Sequence, residues 1–224
     1  MSRLFSYTIP IDDGAAPNPF HGVCTLAICK PTIRRVAQTD DWVVGLGSSN
    51  APSGDLSGRV VYAMRVTLTI PLEEYDRRAP KEWPNKIPDA GSTDLAARLG
   101  DCIYDFSKPS PFASPGLRPS VHGIHNMDAD LGGRNVLLSD DFYYFGNRAI
   151  PLPERLMGIC HQMQGHKSDA NAPYYAEFVR WIRGCGAYPG QLNGWPDTIV
   201  DWPSAARGVG CAARAKESFR DRVC

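Results

Sequence analysis

The first half of the chain alternates short apolar runs with turn residues. Leu4–Ile9 is apolar or aromatic at most positions and ends at Pro10, and Trp42–Gly47 is apolar throughout. Over residues 59–70 apolar side chains recur at every second position, which gives an extended strand one fully apolar face. With their flanking Gly, Pro and Asp residues, such runs predict strands. The predicted strands cover residues 4–9, 23–29, 42–47, 59–70, 135–138 and 142–145.

Helix signals lie between and after these strands. Pro31 suits the first turn of a helix over 31–38, and Pro71 opens a helix with acidic residues in its first turn. An apolar stripe after Pro173 stops at Gly184, which is typical of an amphipathic helix and its C-cap. Further short or weak helices are predicted over 93–99, 153–159 and 204–222. We therefore expect an α+β protein with a β-rich core over 1–150 and a helical extension over 151–224 that packs on this core.

Composition narrows the class of protein. The 224 residues carry 24 basic and 24 acidic side chains, so the formal net charge is zero. This balance argues against a generic nucleic-acid coat, which needs a basic excess. No apolar run reaches the roughly 20 residues that span a bilayer, and the first residues lack a signal-peptide pattern. We expect a cytoplasmic protein with no membrane contact.

Cysteine usage and missing cofactor motifs add two expectations. Seven cysteines without an export signal favour reduced thiols over a disulfide framework. Cys24 and Cys29 are five positions apart, so as members of one strand they face opposite sides and do not form a metal pair. A GxxxxGK[ST] loop is absent, and Gly45-Leu46-Gly47 lacks the third glycine of a dinucleotide fingerprint. We therefore predict no cofactor.

Five stretches of sequence carry a resemblance to a known family. They are Ala-Pro-Asn-Pro-Phe at 16–20, Cys-Thr-Leu-Ala-Ile-Cys-Lys-Pro-Thr-Ile-Arg-Arg at 24–35, Asp-Trp-Val-Val-Gly-Leu-Gly-Ser at 41–48, Leu-Leu-Ser-Asp-Asp-Phe-Tyr-Tyr-Phe-Gly at 137–146 and Gly-His-Lys at 165–167. Over residues 3–185 the chain resembles the nucleotide modification associated domain 2 family of phages and bacteria. The order of its first elements is also similar to PUA-like barrels such as the EVE, YTH and ASCH domains.

The resemblance implies a fold and a set of partners. The implied fold is a PUA-like β-barrel with flanking helices, whose rim pocket accepts one flipped-out or modified base. The implied partners are DNA with a modified base, or a nucleotide, and phage or bacterial DNA-modification proteins. The implied location is the cytoplasm of a bacterial cell, with a bacterial or a phage gene as the source. The leading hypothesis is therefore a protein that recognises a modified base.

Ten residues are candidates for contacting nucleic acid. Aromatic rings stack on bases, short polar side chains read a base edge, and basic side chains hold phosphates. The candidates are Trp42, Tyr62, Tyr143 and Tyr144 for stacking, Asn18 and Ser48 for the base edge, and Lys30, Arg34, Arg35 and Lys167 for phosphates. Each also has an ordinary interpretation as a core aromatic, a turn residue or a solvated helix face. The hypothesis requires Trp42, Tyr62, Asn18 and His166 to line one pocket.

An enzyme of a base-modification pathway is the alternative. Gly165-His166-Lys167 suits a sharp turn that presents an imidazole, so His166 is the candidate general acid/base, assisted by Asp140 or Cys160. A thiol beside an imidazole permits nucleophilic chemistry, and Cys160 pairs better with His166 than with its neighbour His161. A third alternative is an interaction module that captures a partner protein.

The proline- and glycine-rich segment 107–133 is predicted to be a long loop, either functional or mobile. It contains His122 and His125, with Asp128 or Asp130 close by, a spacing that indicates a metal loop only weakly. Solvent exposure without a ligand is the favoured interpretation, and we predict no metal.

Overall fold

The structure is a computed structural model that describes residues 2–108, 115–160 and 165–198. The strands in these ranges are β1 (Leu4–Ile9), β2 (Cys24–Leu26), β3 (Trp42–Gly47), β4 (Arg59–Arg65), β5 (Leu68–Pro71), β6 (Tyr104–Asp105), β7 (Gly116–Leu117), β8 (Asn135–Ser139), β9 (Asp141–Tyr144), β10 (Ile150–Pro151) and β11 (Gln191–Leu192). The α-helices are α1 (Pro31–Val36), α2 (Leu72–Glu82), α3 (Leu95–Arg98), α4 (Met127–Leu131) and α5 (Tyr175–Arg183). Short 3₁₀ helices cover Pro84–Lys86, Ile124–Asn126, Gly146–Arg148, Glu154–Ile159 and Asp169–Tyr174.

The main sheet has the strand order β1-β3-β4-β9-β11, and β10 also pairs with β4. Every residue of β3 is buried, which explains its unbroken apolar run, because a strand covered on both faces has no polar side. β1 runs parallel to β3 with Leu4 opposite Trp42, whereas β4 is antiparallel to both β3 and β9. The strands predicted over 4–9 and 42–47 are thus confirmed at both ends.

A second sheet, β2-β8-β5, begins where the chain leaves the first one. The alternation over 59–70 predicts a single strand, and this prediction is wrong because the strand breaks at Val66 and Thr67. Val66 N–H donates to Asp41 O at 2.8 Å beside β3, and Thr67 N–H donates to Leu138 O at 2.9 Å in the second sheet. Both β4 and β5 contain buried apolar residues, so the alternation of apolar side chains continues although the chain passes from one sheet to the other.

The two faces of the main sheet lie in different apolar cores. One face packs against the second sheet and contributes Phe5, Tyr7, Val43, Tyr62, Met64, Phe142 and Tyr144. The opposite face packs against the segments after residue 151 and contributes Leu4, Trp42, Val44, Ala63 and Tyr143. Adjacent residues of one strand therefore go to opposite cores, as the two-residue period of a strand requires.

The α+β class predicted from the sequence is confirmed, but the barrel is not. Within the described ranges the strands form separate six-, three- and two-stranded sheets and no closed barrel. The segments after 151 pack on the main sheet, and the division of the chain at residue 150 stays a prediction. The helix predicted over 204–222 lies outside the described residues. None of the described helices has the length and apolar character needed to cross a membrane.

Candidate active site

Cys29 lies in the turn that joins β2 to α1. The apolar run predicts a strand through residue 29, but β2 ends at Leu26, and the backbone φ angles of Cys29 and Lys30 are +59° and +42°. These values fall in the left-handed region, which residues other than glycine rarely adopt and which clusters at functional sites. The prediction that Cys29 belongs to the same strand as Cys24 is therefore wrong, and a turn sets the direction of its side chain.

The backbone of Cys29 is held on both sides. Its N–H donates to Asp130 Oδ1 at 2.7 Å, and its carbonyl accepts from Arg34 Nε at 2.7 Å. Cys29 remains half-buried, in contrast to the fully buried Cys24 and Cys102. Burial raises the pKa of the Cys24 and Cys102 thiols well above the ordinary value. Among these three thiols, Cys29 is the one with access to the surface.

Cys29, His122 and Asp130 form a continuous hydrogen-bonded chain. Cys29 Sγ lies 3.3 Å from His122 Nε2, and His122 Nδ1 lies 2.6 Å from Asp130 Oδ2. A carboxylate only accepts hydrogen bonds, so Nδ1 carries the proton in this pair, and Nε2 is left to accept from the thiol. The side chains of His122 and Asp130 are 3% and 2% exposed, so water hardly competes for these bonds.

Asp130 is held by two further donors. Tyr104 O–H donates to Asp130 Oδ2 at 2.9 Å, in addition to the Cys29 N–H on Oδ1. Burial is the main cause that raises the pKa of Tyr104, so its hydroxyl stays a neutral donor at physiological pH. Asp130 comes from α4, Tyr104 from β6 and His122 from the loop before α4. The site is therefore assembled from several distant segments.

The three groups lie in series and do not converge on one point. Among the residues that the structure describes, no group of three or more His, Cys, Asp or Glu side chains is arranged to hold a metal ion. His122 and Asp130 are buried, whereas His125 and Asp128 are exposed, so the loop predicted to be solvent-exposed is divided between core and surface. A thiol, an imidazole and a carboxylate in this order form the arrangement in which a base activates a nucleophile and a third group orients the base.

The four aromatic candidates lie in the core and on two faces of the main sheet. Trp42 is 1% exposed and packs edge-to-face on Phe178, with ring centroids 6.0 Å apart. Tyr143 is buried on the same face. Tyr62 and Tyr144 are buried on the other face. Because Trp42 and Tyr62 point away from each other through the sheet, the four residues required by the hypothesis do not line one pocket.

The two candidates for reading a base edge hold local structure. Asn18 is buried, and its Nδ2 donates to Gly14 O at 3.2 Å and to Leu99 O at 2.7 Å. Its Oδ1 accepts from the buried Lys86 Nζ at 2.5 Å. Ser48 is half-buried, and its Oγ accepts from Asn50 N–H at 3.1 Å in the turn after β3.

The basic candidates in α1 and in the turn just before it have three different environments. Arg34 is fully buried and donates to backbone carbonyls, so in this structure it does not face a phosphate. Arg35 is exposed and donates to Gly132 O at 3.3 Å. Lys30 Nζ lies 4.4 Å from the centre of the Tyr7 ring, a cation–π contact beside Cys29.

The three residues of the enzyme alternative, His166, Asp140 and Cys160, lie within the described ranges. Residues 161–164, which include the neighbouring His161, lie outside them. His166 packs on Phe5, with ring centroids 5.9 Å apart, and Lys167 Nζ donates to Gly158 O at 3.1 Å. Cys160 Sγ lies 4.0 Å from Met157 Sδ, and burial raises the pKa of its thiol. Asp140 is exposed in the β8–β9 turn.

Sequence reasoning missed the pairing of Cys29 with His122 because 93 residues separate them. One local signal was available. Pro31 fixes the start of α1, so a cysteine two residues earlier had to leave the strand in a tight turn. A nucleophile between a strand and a helix is a known way to present a reactive side chain.

The comparisons place the chain in a family. A family model described as nucleotide modification associated domain 2 matches residues 1–200. No curated protein and no solved structure matched the chain. The match covers the strands, α1 and the three residues Cys29, His122 and Asp130. It agrees with the family that the sequence resembles. The protein belongs to the nucleotide modification associated domain 2 family.

Proposed function

We propose that the protein is a cysteine-dependent enzyme that acts on a nucleotide or a modified base. Cys29 is the nucleophile, His122 the general base and Asp130 the group that orients His122. The observation that carries the proposal is the Cys29–His122–Asp130 chain, with separations of 3.3 and 2.6 Å. The family membership supports a nucleotide as the substrate class. This is the enzyme alternative of the sequence analysis, with a different set of residues.

The geometry suits attack on an acyl carbon, such as an amide or ester attached to a nucleotide. His122 Nε2 takes the thiol proton, and the thiolate sulfur forms a bond to the acyl carbon. The bond from that carbon to the leaving nitrogen or oxygen breaks, and the imidazolium returns the proton to the leaving group. Water then attacks the thioester and His122 takes a proton from this water. The C–S bond breaks to release the acid, and the imidazolium returns its proton to the sulfur, which restores the thiol.

Recognition of a modified base stays a prediction. In the described residues its candidate side chains do not form a shared site comparable to the Cys29–His122–Asp130 arrangement. In the described residues, the aromatic side chains that it would use for stacking are buried on opposite faces of the main sheet. A base would reach Trp42 or Tyr62 only after the core opened. The half-buried Cys29 can be reached by a substrate without opening the core.

Thiol alkylation tests the proposed nucleophile without knowledge of the substrate. Iodoacetamide labelling at a series of pH values, followed by peptide mass spectrometry, measures Cys29 and the half-buried Cys160 in the same molecule. We expect Cys29 to react faster than Cys160 near neutral pH, and His122→Asn to slow Cys29 by about tenfold or more. Equal pH profiles for the two thiols, unchanged by His122→Asn, would overturn the proposal.

Two further measurements test the reaction and the substrate class. After incubation with p-nitrophenyl acetate and acid quenching, we expect an acetyl group on Cys29 that is absent in Cys29→Ser. Nucleoside monophosphates are expected to slow the alkylation of Cys29 and to leave Cys160 unaffected. A lack of protection by all of the common nucleotides would count against a nucleotide substrate, and a lack of the acetyl adduct against acyl transfer.

A further inference from the structure

Arg34 binds the backbone of both Cys29 and Asp130, the two ends of the hydrogen-bonded series Cys29–His122–Asp130. The residue is fully buried, and its Nε donates to Cys29 O at 2.7 Å. Its Nη1 donates to Asn135 O at 2.9 Å, and its Nη2 donates to Asp130 O. Two of these three carbonyls belong to the proposed nucleophile and to the residue that orients the base.

The contacts of Arg34 fix the turn that presents the thiol. The left-handed φ of Cys29 is costly for a residue with a side chain and persists only where the surroundings impose it. Asp130 Oδ1 holds the N–H of Cys29, and Arg34 holds its carbonyl. The peptide planes on both sides of Cys29 are thus fixed from α1 and α4, and the direction of the Cα–Cβ bond follows.

The space around the guanidinium is closed. A Cβ at Gly133 would overlap Cζ and Nη2 of Arg34. A lysine at 34 would supply one point charge where the planar guanidinium supplies donors in three directions. Shape, charge and donor geometry at this position are therefore all matched to the three carbonyls.

We propose that Arg34 is a positioning residue that sets the approach of Cys29 Sγ to His122 Nε2. The inference rests on the proposed function, because it assigns Arg34 a role in the reactivity of Cys29 beyond its role in the fold. A displacement of about 1 Å in such a pair costs about 100-fold in rate.

The test compares Arg34→Lys with Arg35→Lys, its exposed neighbour on α1. The pH profile of Cys29 alkylation is the main readout, because a merely structural role would lower the melting temperature and leave this profile unchanged. In folded Arg34→Lys we expect the Cys29 rate at neutral pH to fall about 10- to 100-fold, with its midpoint moved toward that of Cys160. Arg35→Lys is expected to match the wild type.

Gly133→Ala is the second variant, because it keeps Arg34 and displaces its guanidinium, and we expect the same shift of the profile. Wild-type reactivity of Cys29 in either folded variant would overturn the positioning role. If neither variant folds, Arg34 is required for the fold itself and the separate role is likewise overturned. A wild-type Cys29 that reacts like Cys160 would instead refute the proposed function, so the two failures are distinguishable.

Discussion

Tyr104 and His122 share one acceptor atom, Oδ2 of Asp130, at 2.9 and 2.6 Å. The tyrosine lies on β6, and the histidine follows β7. Both donors are buried, so the carboxylate oxygen is held between two groups that water cannot replace. The orientation of His122 therefore depends on the identity of residue 130.

Asp130→Asn is expected to abolish the raised reactivity of Cys29. An amide nitrogen facing His122 Nδ1 would force Nδ1 to accept, and Nε2 would then carry the proton and could no longer take one from the thiol. In a catalytic triad the same change costs about 10⁴-fold in turnover. Alkylation rates for Cys29 and Cys160 check the expectation. Asp128→Asn, on the exposed side of α4, is the matched control, and an effect of equal size there would contradict the model.

Tyr104→Phe is expected to act on stability more than on the thiol. It removes one hydrogen bond to Asp130, which keeps its bonds to His122 and to the backbone of Cys29. We expect a loss of about 1–2 kcal/mol in the free energy of unfolding by urea denaturation, and less than about a threefold change in Cys29 alkylation. A complete loss of Cys29 reactivity in a folded Tyr104→Phe protein would show that this tyrosine has a larger part in the site.

Local patterns predicted the main-sheet strands well and the assembly poorly. The strands over 4–9 and 42–47 have the predicted bounds because burial on both faces leaves a clear apolar run. The change of sheet at Val66 was invisible because both halves keep an apolar face. Arg34 and Arg35 show the same limit, since only tertiary packing decides which of two adjacent arginines is buried.

The Cys29 site could not be predicted from one sequence for a related reason. The spacing of His122 and Asp130 indicates a metal loop only weakly, and the apolar run before Pro31 predicts a strand through Cys29, so no local pattern joins the three residues. Their meeting depends on the packing of the β2–α1 turn against α4, which is a long-range property of the chain. The sequence did indicate the family and the enzyme alternative, but with His166 as its central residue.

The stability of the protein is expected to depend on Asp12 between pH 4 and 7. Burial, partly offset by the Tyr144 hydroxyl and increased by the nearby Asp13 and Asp197, raises the pKa of Asp12 to about 7. The folded state therefore holds a proton that the unfolded state releases above its own pKa of 3.8, so the free energy of unfolding falls as the pH rises through this window.

Asp12→Asn removes this dependence and keeps an oxygen that accepts from Tyr144. Between pH 4 and 8 the wild type is expected to lose stability relative to Asp12→Asn by at most about 4 kcal/mol. Urea denaturation of both proteins at each pH measures the difference. Parallel stability curves for the two proteins would show that Asp12 titrates normally in the folded state.

Asn18→Ala is expected to destabilise the fold strongly. The substitution removes one of the three acceptors of the buried Lys86 ammonium, the Asn18 Oδ1 at 2.5 Å, and leaves two buried carbonyls without the amide donor of Asn18. We expect a loss of about 2–4 kcal/mol, measured by thermal or urea unfolding. Ser48→Ala, in the turn after β3, is expected to stay within about 0.5 kcal/mol of the wild type. A stable Asn18→Ala protein that has lost nucleic-acid binding would instead favour the base-reader role.

The separation of Cys29 from His122 along the chain has a practical consequence. The two residues meet only when the β2–α1 turn, β6 and α4 are packed together, so an unfolded or misfolded chain has an ordinary thiol at position 29. The labelling rate of Cys29 therefore measures the fraction of a sample that is correctly folded. This fraction can be determined before any substrate is known. For a variant that loses activity, it distinguishes unfolding of the protein from a change in the reacting groups of the site.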